Sequence, residues 1–244
     1  MLAIIGGSGL SKLGNMEVTK RKVSRTPYGE ASGALTFGHI GGCEVVFLAR
    51  HGYGHTIAPH EVNYRANLWA LKDAGASEVV SVASVGAIGD HAPGAIVVPD
   101  QVIDYTWGRA STYFQGQGAP VNHIDFTEPY SRSLRRRILN AAAECKEPVA
   151  DGGVYAATQG PRLETSAEIE RLARDGATLV GMTGMPEAAL AREISLEYAA
   201  IAVVANWAAG RGDSKRAVPL DKIGAILEEA MGRVRRIIEE CCKQ

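Results

Sequence analysis

The 244-residue chain predicts an α/β fold: a single domain, residues 1–244, with a central mixed β-sheet surrounded by helices. Three observations predict it. Apolar runs rich in branched residues, LAIIG, SEVVSVASVGAIG and VVANW, each end on Gly, Ser or Asn and a loop, as buried strands do. Segments with helical apolar spacing lie between such runs, so strands alternate with helices. The length suffices for one substantial core, and no internal repeat or low-complexity tract marks a second.

Taken in order, LAIIG at 2–6 is a short strand that runs into Gly6-Gly7-Ser8-Gly9. ALTFGHI and CEVVFLAR, separated by Gly41-Gly42, read as a hairpin. The first clear helix is VNYRANLWALKDAG, with Val62, Ala66, Leu68, Trp69 and Ala70 on its apolar face and Gly75 suited to its end. SEVVSVASVGAIG is a strand entering a second Gly-rich loop, and GAIVVPDQVID holds a pair of strands. Tyr105 to Tyr130 is too long and too aromatic for a simple connection, a pattern typical of functional loops. A helix at about 131–145 precedes the strand GVYAATQG, and the next helix opens on a capping box, Thr165 with Glu168. The strand ATLVGM leads to a helix from Pro186, and VVANW is the last strand. The final helix sets Leu220, Ile223, Leu227, Ala230, Val234 and Ile237 on one apolar stripe.

Charge narrows the function. Lys and Arg number 26 against 27 acids, so there is no basic field to hold nucleic acid or an anionic membrane, and a small ligand is the expected partner. No apolar run approaches the ~20 residues that span a bilayer. MLAIIGGSGL has neither the basic start nor the cleavage site of a signal peptide, so the chain is expected to be cytoplasmic. Cys43, Cys145, Cys241 and Cys242 show neither metal-ligand spacing nor a disulfide framework and read as reduced thiols.

Several short constellations carry chemistry. GGSG lacks the third glycine of a dinucleotide loop, where Lys12 stands, so no nicotinamide cofactor is expected; the loop is either an anion cradle with the Ser8 hydroxyl or a tight turn. Arg50-His51 at a strand end suits an oxyanion, with the histidine as donor or titrating group, and is equally ordinary surface chemistry in isolation. His55 and His60 lie nearby, but no ligand set accompanies them and no metal is expected. Glu164 at a helix start is by itself a carboxylate favoured by the helix dipole. Met182 and Thr183 follow a strand, where they read singly as core filler and cap.

Together, IIGGSGL, ARHG…HTIAPHEVNYRANLWALK, SVGAIGD, TQGPR, GMTGMPEAALARE and VVANW resemble, in order and spacing, the trimeric purine nucleoside phosphorylases and methylthioadenosine phosphorylases. The resemblance covers nearly the whole chain. It implies a nucleoside phosphorylase-like fold, a purine nucleoside and inorganic phosphate as co-substrates, no cofactor, and a homotrimer in which His123 closes a neighbouring subunit's site. It places Ser8, Arg50, His51, Ala83, Ser84 and Thr183 at the phosphate and Met182 against the ribose. Leu163, Glu164, Asn206, Trp207 and Ala208 fall around the base, with Asn206 and His51 as the catalytic residues. The family's methylthio branch usually has threonine at the positions of Ser8 and Ala83; the first exchange keeps a hydroxyl and the second loses one.

The resemblance also bears on the substrate. Adenine-specific relatives typically carry aspartate where Asn206 stands, a second acid at the position of Ala208, and serine at the position of Glu164. A 6-oxopurine offers an N1–H donor and an O6 acceptor, which a glutamate and an asparagine amide match. Inosine and guanosine phosphorylases commonly present histidine to the 5′-hydroxyl, whereas AVPLDKIGAIL offers Val218, Leu220 and Ile223, a wall suited to a methylthio group. The combination implies phosphorolysis of 5′-methylthioinosine. Methylthioadenosine phosphorolysis, inosine or guanosine phosphorolysis, and a nucleotide-binding module without catalysis are the alternatives.

Overall fold

The computed structural model describes residues 1–116 and 118–244. In chain order the first half holds β1 (Leu2–Gly6), β2 (Glu17–Lys22), β3 (Arg25–Thr26), β4 (Gly29–Glu30), β5 (Leu35–Ile40), β6 (Cys43–Ala49), α1 (Tyr64–Asp73), β7 (Glu78–Ala87), β8 (Ile96–Val98) and β9 (Gln101–Asp104). The second half holds α2 (Arg132–Glu144), β10 (Val149–Asp151), β11 (Val154–Ala157), α3 (Ser166–Arg174), β12 (Leu179–Gly181), α4 (Gly184–Glu193), β13 (Glu197–Trp207), a short 3₁₀ turn at Gly212–Ser214, and α5 (Leu220–Lys243).

Among the described residues, eleven of these strands form one mixed sheet, and β3 and β4 pair separately. Its centre is parallel: β1 lies between β6 and β7, and β7 pairs along its length with β13. Such strands are buried on both faces, which is why LAIIG is apolar throughout and does not alternate. Its side chains still obey the two-residue period, with Ala3 and Ile5 in one core and Leu2 and Ile4 in the other. The first core is closed by α1 and α4, through residues such as Leu68, Leu71 and Leu190. The second is closed by α2 and α5, through Leu134, Ile138, Leu227, Val234 and Ile237.

The expected helix starts hold. In α3, Glu168 N–H donates to Thr165 Oγ1 at 3.1 Å and Thr165 N–H donates to Glu168 Oε2 at 2.7 Å, a reciprocal capping box. In α4, Met185 is extended, so regular helix begins at Pro186. One expectation is corrected: Leu220, placed on the buried stripe of α5, is 65% exposed. The first turn of α5 precedes the sheet, and firm docking begins at Leu227, against the Gly9 loop. The sequence pattern also missed β2, β10 and the β3–β4 pair. β2 is exposed at every position, and the others are two or three residues long, so none carries an apolar alternation.

Candidate active site

The parallel strands β1, β6, β7 and β13 release their chains at the same edge of the sheet, the place where open α/β sheets bind ligands. β12 runs antiparallel to β7, pairing Val180 with Gly86, and so carries Met182 and Thr183 back towards Ser84. These ends enclose a cavity of about 450 Å³, a size suited to a small organic ligand. It gathers most of the residues that the motifs singled out. Ser8, Arg50, His51, Ala83, Ser84 and Thr183 line one part; Leu163, Glu164, Met182, Asn206 and Ala208 line another; Val218 and Ile223 complete the wall. Trp207, Leu220 and His123 are not among its lining residues within one chain. Trp207 packs over Gly212, and Leu220 and His123 are exposed.

Arg50 is fully buried and holds a bidentate pair with Glu187: Nε donates to Oε2 at 2.8 Å and Nη2 to Oε1 at 2.9 Å. Nη2 also donates to Ser81 Oγ at 2.6 Å and Nη1 to the Val82 carbonyl at 3.0 Å. Of its five N–H groups, one on Nη1 is uncommitted. The Gly7 loop lies against that nitrogen: a Cβ at residue 7 would sit 2.8 Å from it, so only glycine allows this approach. Burial alone would lower the Arg50 pKa, but Glu187 overrides it and raises it; the same pairing holds the buried Glu187 carboxyl below its usual range.

His51 is neutral. Burial and the Arg50 charge push its pKa down from 6.5 to about 4. Nδ1 lies 2.9 Å from the Ile57 carbonyl, which can only accept, so Nδ1 carries the proton and Nε2 presents a lone pair. The oxyanion role expected for Arg50-His51 is thereby narrowed: His51 offers an acceptor, and Arg50 offers one donor. With Arg50 cancelled by Glu187, this part of the cavity relies on hydrogen bonds in place of net positive charge. Thr183 contributes a hydroxyl that makes no capping bond to α4, and Ser8 Oγ has one long contact, 3.5 Å to His55 Nε2.

The other part of the cavity holds a carboxylate, Glu164, and an amide, Asn206. The Thr158 hydroxyl donates to Glu164 Oε1 at 2.6 Å, which fixes the carboxylate and leaves Oε2 free of that bond. Asn206 owes its place to a bulge in β13: Val204 pairs with Val85, but the next paired residue, Asn206, faces Gly86. Its Nδ2 donates to the Trp207 carbonyl at 2.7 Å, which sets the orientation of the amide and leaves one N–H and Oδ1 available. A fixed acceptor and a fixed donor–acceptor group can therefore read a heterocycle jointly.

Three contributors escaped the sequence reading. Glu187 sits in the quoted GMPEAALARE, and its signal is a lone acid among residues that otherwise face the core; Ser81 and Tyr198 also donate to it, at 2.7 and 2.8 Å. Thr158 lies in the quoted TQGPR with no local feature that marks its hydroxyl. Arg109, in the long segment after β9, has no local signal at all. Among the described residues no group of His, Cys, Asp or Glu is arranged to hold a metal ion, and no helix is long and apolar enough to cross a membrane.

Comparisons with known proteins bear on the family of the chain. The model of the Phosphorylase superfamily matches residues 1–243. A protein of Xanthomonas campestris named "Probable S-methyl-5′-thioinosine phosphorylase" is 53% identical over 88% of this chain and 86% of its own. The 6-oxopurine nucleoside phosphorylase of Pyrococcus furiosus is 43% identical over 88% of this chain and 82% of its own. Among solved structures, methylthioadenosine phosphorylase of Schistosoma mansoni in complex with adenine superposes with a TM-score of 0.93 at 31% identity, covering 99% of this chain and 90% of that one. Matched along almost its full length by the family model and by relatives well above 30% identity, the chain belongs to the phosphorylase superfamily.

Proposed function

We propose that this protein is a pentosyltransferase that phosphorolyses 5′-methylthioinosine, releasing hypoxanthine and 5-methylthioribose 1-phosphate. The observation that carries the base assignment is the anchored Glu164: held at Oε1 by Thr158, it accepts N1–H of an oxo-purine through Oε2. Asn206, oriented by the Trp207 carbonyl, donates its remaining N–H to O6 and accepts from N7–H through Oδ1. Adenine presents the reverse pattern at N1 and C6, and each mismatched buried group costs about 1–3 kcal/mol. At the 5′ end, Val218 and Ile223 form an apolar wall that accepts a methylthio group. Four relatives of this chain at 50–53% identity carry the methylthioinosine name, which supports the same reading.

The chemistry follows from the two parts of the cavity. Phosphate lies by Ser8, Arg50, His51, Ser84 and Thr183, with one P–OH donated to His51 Nε2. As the glycosidic bond breaks, positive charge grows on the sugar beside the phosphate oxygens, and negative charge grows on the purine beside Asn206. Asn206 is an amide and stabilises the leaving base by hydrogen bonding, with no proton transfer of its own. Met182 lies against the ribose. The working form is a cytoplasmic homotrimer in which His123 of each chain reaches a neighbour's site, and no cofactor or metal takes part.

A panel of 5′-methylthioinosine, 5′-methylthioadenosine and inosine, assayed with and without phosphate, tests the proposal. Fast, phosphate-dependent release of hypoxanthine from the first is the expected result. Equal or faster release of adenine refutes the base assignment, and inosine outcompeting its methylthio analogue refutes the 5′ assignment. Base release that persists without phosphate refutes phosphorolysis.

A further inference from the structure

The segment after β9 delivers one half-buried arginine to the back of the cavity. Arg109 Nη1 donates to the Met182 carbonyl at 2.8 Å and the Met185 carbonyl at 2.7 Å. Nη2 donates to the Gln159 carbonyl at 2.8 Å and the Thr158 carbonyl at 3.2 Å, and Nε to Gln159 Oε1 at 3.2 Å. Those five bonds use all five N–H groups of a guanidinium, so none is left for a ligand. The Tyr64 hydroxyl, 3.3 Å from Nη1, donates onward to the Pro59 carbonyl, on a third wall of the cavity.

The two edges of this planar group clamp the chain just beyond two paired strands: β11 and β12 pair Ala157 with Gly181, and Thr158 N–H donates to the Gly181 carbonyl at 2.8 Å. On one side stands Thr158, whose hydroxyl holds Glu164; on the other stands Met182. The segment that carries the arginine is itself pinned to α4, since Glu193 accepts from Thr112 Oγ1 at 2.6 Å and from Tyr113 N–H at 2.7 Å. We propose that Arg109 is a positioning residue for the nucleoside: it fixes the turns after β11 and β12 that carry the base-reading Glu164 and the ribose-facing Met182. This inference rests on the function proposed above. Ser8 and His51, on other strand ends, receive no bond from Arg109, whereas Thr183 directly follows the anchored Met182 carbonyl. Lysine cannot substitute, because its three donors radiate from one point and do not span both edges.

The test is Arg109→Lys and Arg109→Gln, with nucleoside and phosphate varied separately and thermal unfolding measured alongside. Misplacement of reacting groups by about 1 Å lowers rates by about 100-fold, so kcat/KM for 5′-methylthioinosine should fall about 10- to 100-fold in both variants. The preference for methylthioinosine over methylthioadenosine should shrink about 10-fold, since Glu164 loses its fixed place. Parallel loss toward both substrates, full activity in the lysine variant, or failure of both variants to fold overturns the proposal. A wild-type protein that releases no purine base with phosphate refutes the reading of the site itself; an active wild type matched by its variants refutes only the role of Arg109.

Discussion

Replacing Glu187 with glutamine tests the least visible part of the site. Its carboxylate accepts from Arg50 Nε at 2.8 Å, Arg50 Nη2 at 2.9 Å, Ser81 Oγ at 2.7 Å and Tyr198 Oη at 2.8 Å. A glutamine has one oxygen to offer, so its NH₂ faces donors, and Arg50 becomes a buried cation with no counter-charge. Removing one partner of a buried ion pair costs about 3–5 kcal/mol. At about 2–4 °C per kcal/mol for a chain of this size, the melting temperature should fall by about 6–20 °C. Burial tends to raise the Glu187 pKa, and Arg50 overrides it and lowers it. The pair therefore stabilises the fold above the ordinary carboxylate range and loses that contribution as pH falls through the depressed value. Thermal unfolding from pH 7 down to pH 3 should show the wild type losing stability more steeply than Glu187→Gln. A deficit below about 1 kcal/mol at pH 7 would mean that the charge on Glu187 is not what holds Arg50, and the account of the anion end would fail.

Other expectations concern single groups in the cavity. The His51 imidazole should titrate by NMR with a midpoint of about 4; a midpoint between 6 and 7 would refute its neutral, acceptor state. Because the folded value lies below the ordinary 6.5, His51 favours the fold above that pH and loses this contribution as pH falls from 6.5 towards about 4. Ala83→Ser places a hydroxyl on a cavity-lining position of β7, and one added hydrogen bond to phosphate, net about 1 kcal/mol, should lower the phosphate KM about 5-fold in steady-state kinetics. Glu164→Ser with Asn206→Asp should raise the kcat/KM ratio of methylthioadenosine to methylthioinosine by at least about 10-fold; an unchanged ratio would remove the base-recognition model.

Much of the fold was legible because its determinants are local. Apolar runs rich in branched residues identify β1, β7 and β13 as buried strands, the Thr165–Glu168 pair marks the start of α3, and the three- and four-residue spacing from Leu227 to Ile237 identifies the buried face of α5. β2 and β10 were illegible for the converse reason: edge strands this polar or this short carry no apolar period.

The resemblance of the motifs to a known family named most of the residues that line the cavity, and for Ser8, Arg50, His51 and Asn206 the reason is visible in the chain: a loop after a parallel strand opens at the sheet's carboxyl edge. What those residues can do chemically was decided only by the tertiary structure. Arg50 reads as a free cation until Glu187, 137 residues away, cancels its charge. His51 reads as a donor until the Ile57 carbonyl takes its proton-bearing nitrogen, and Asn206 reads as the end of a strand until a bulge at Ala205 turns it to face Gly86. Strand and helix patterns arise from neighbours a few residues apart, so a linear sequence records them. Charge state, tautomer and side-chain aim arise from partners that only the packed chain brings within hydrogen-bond reach.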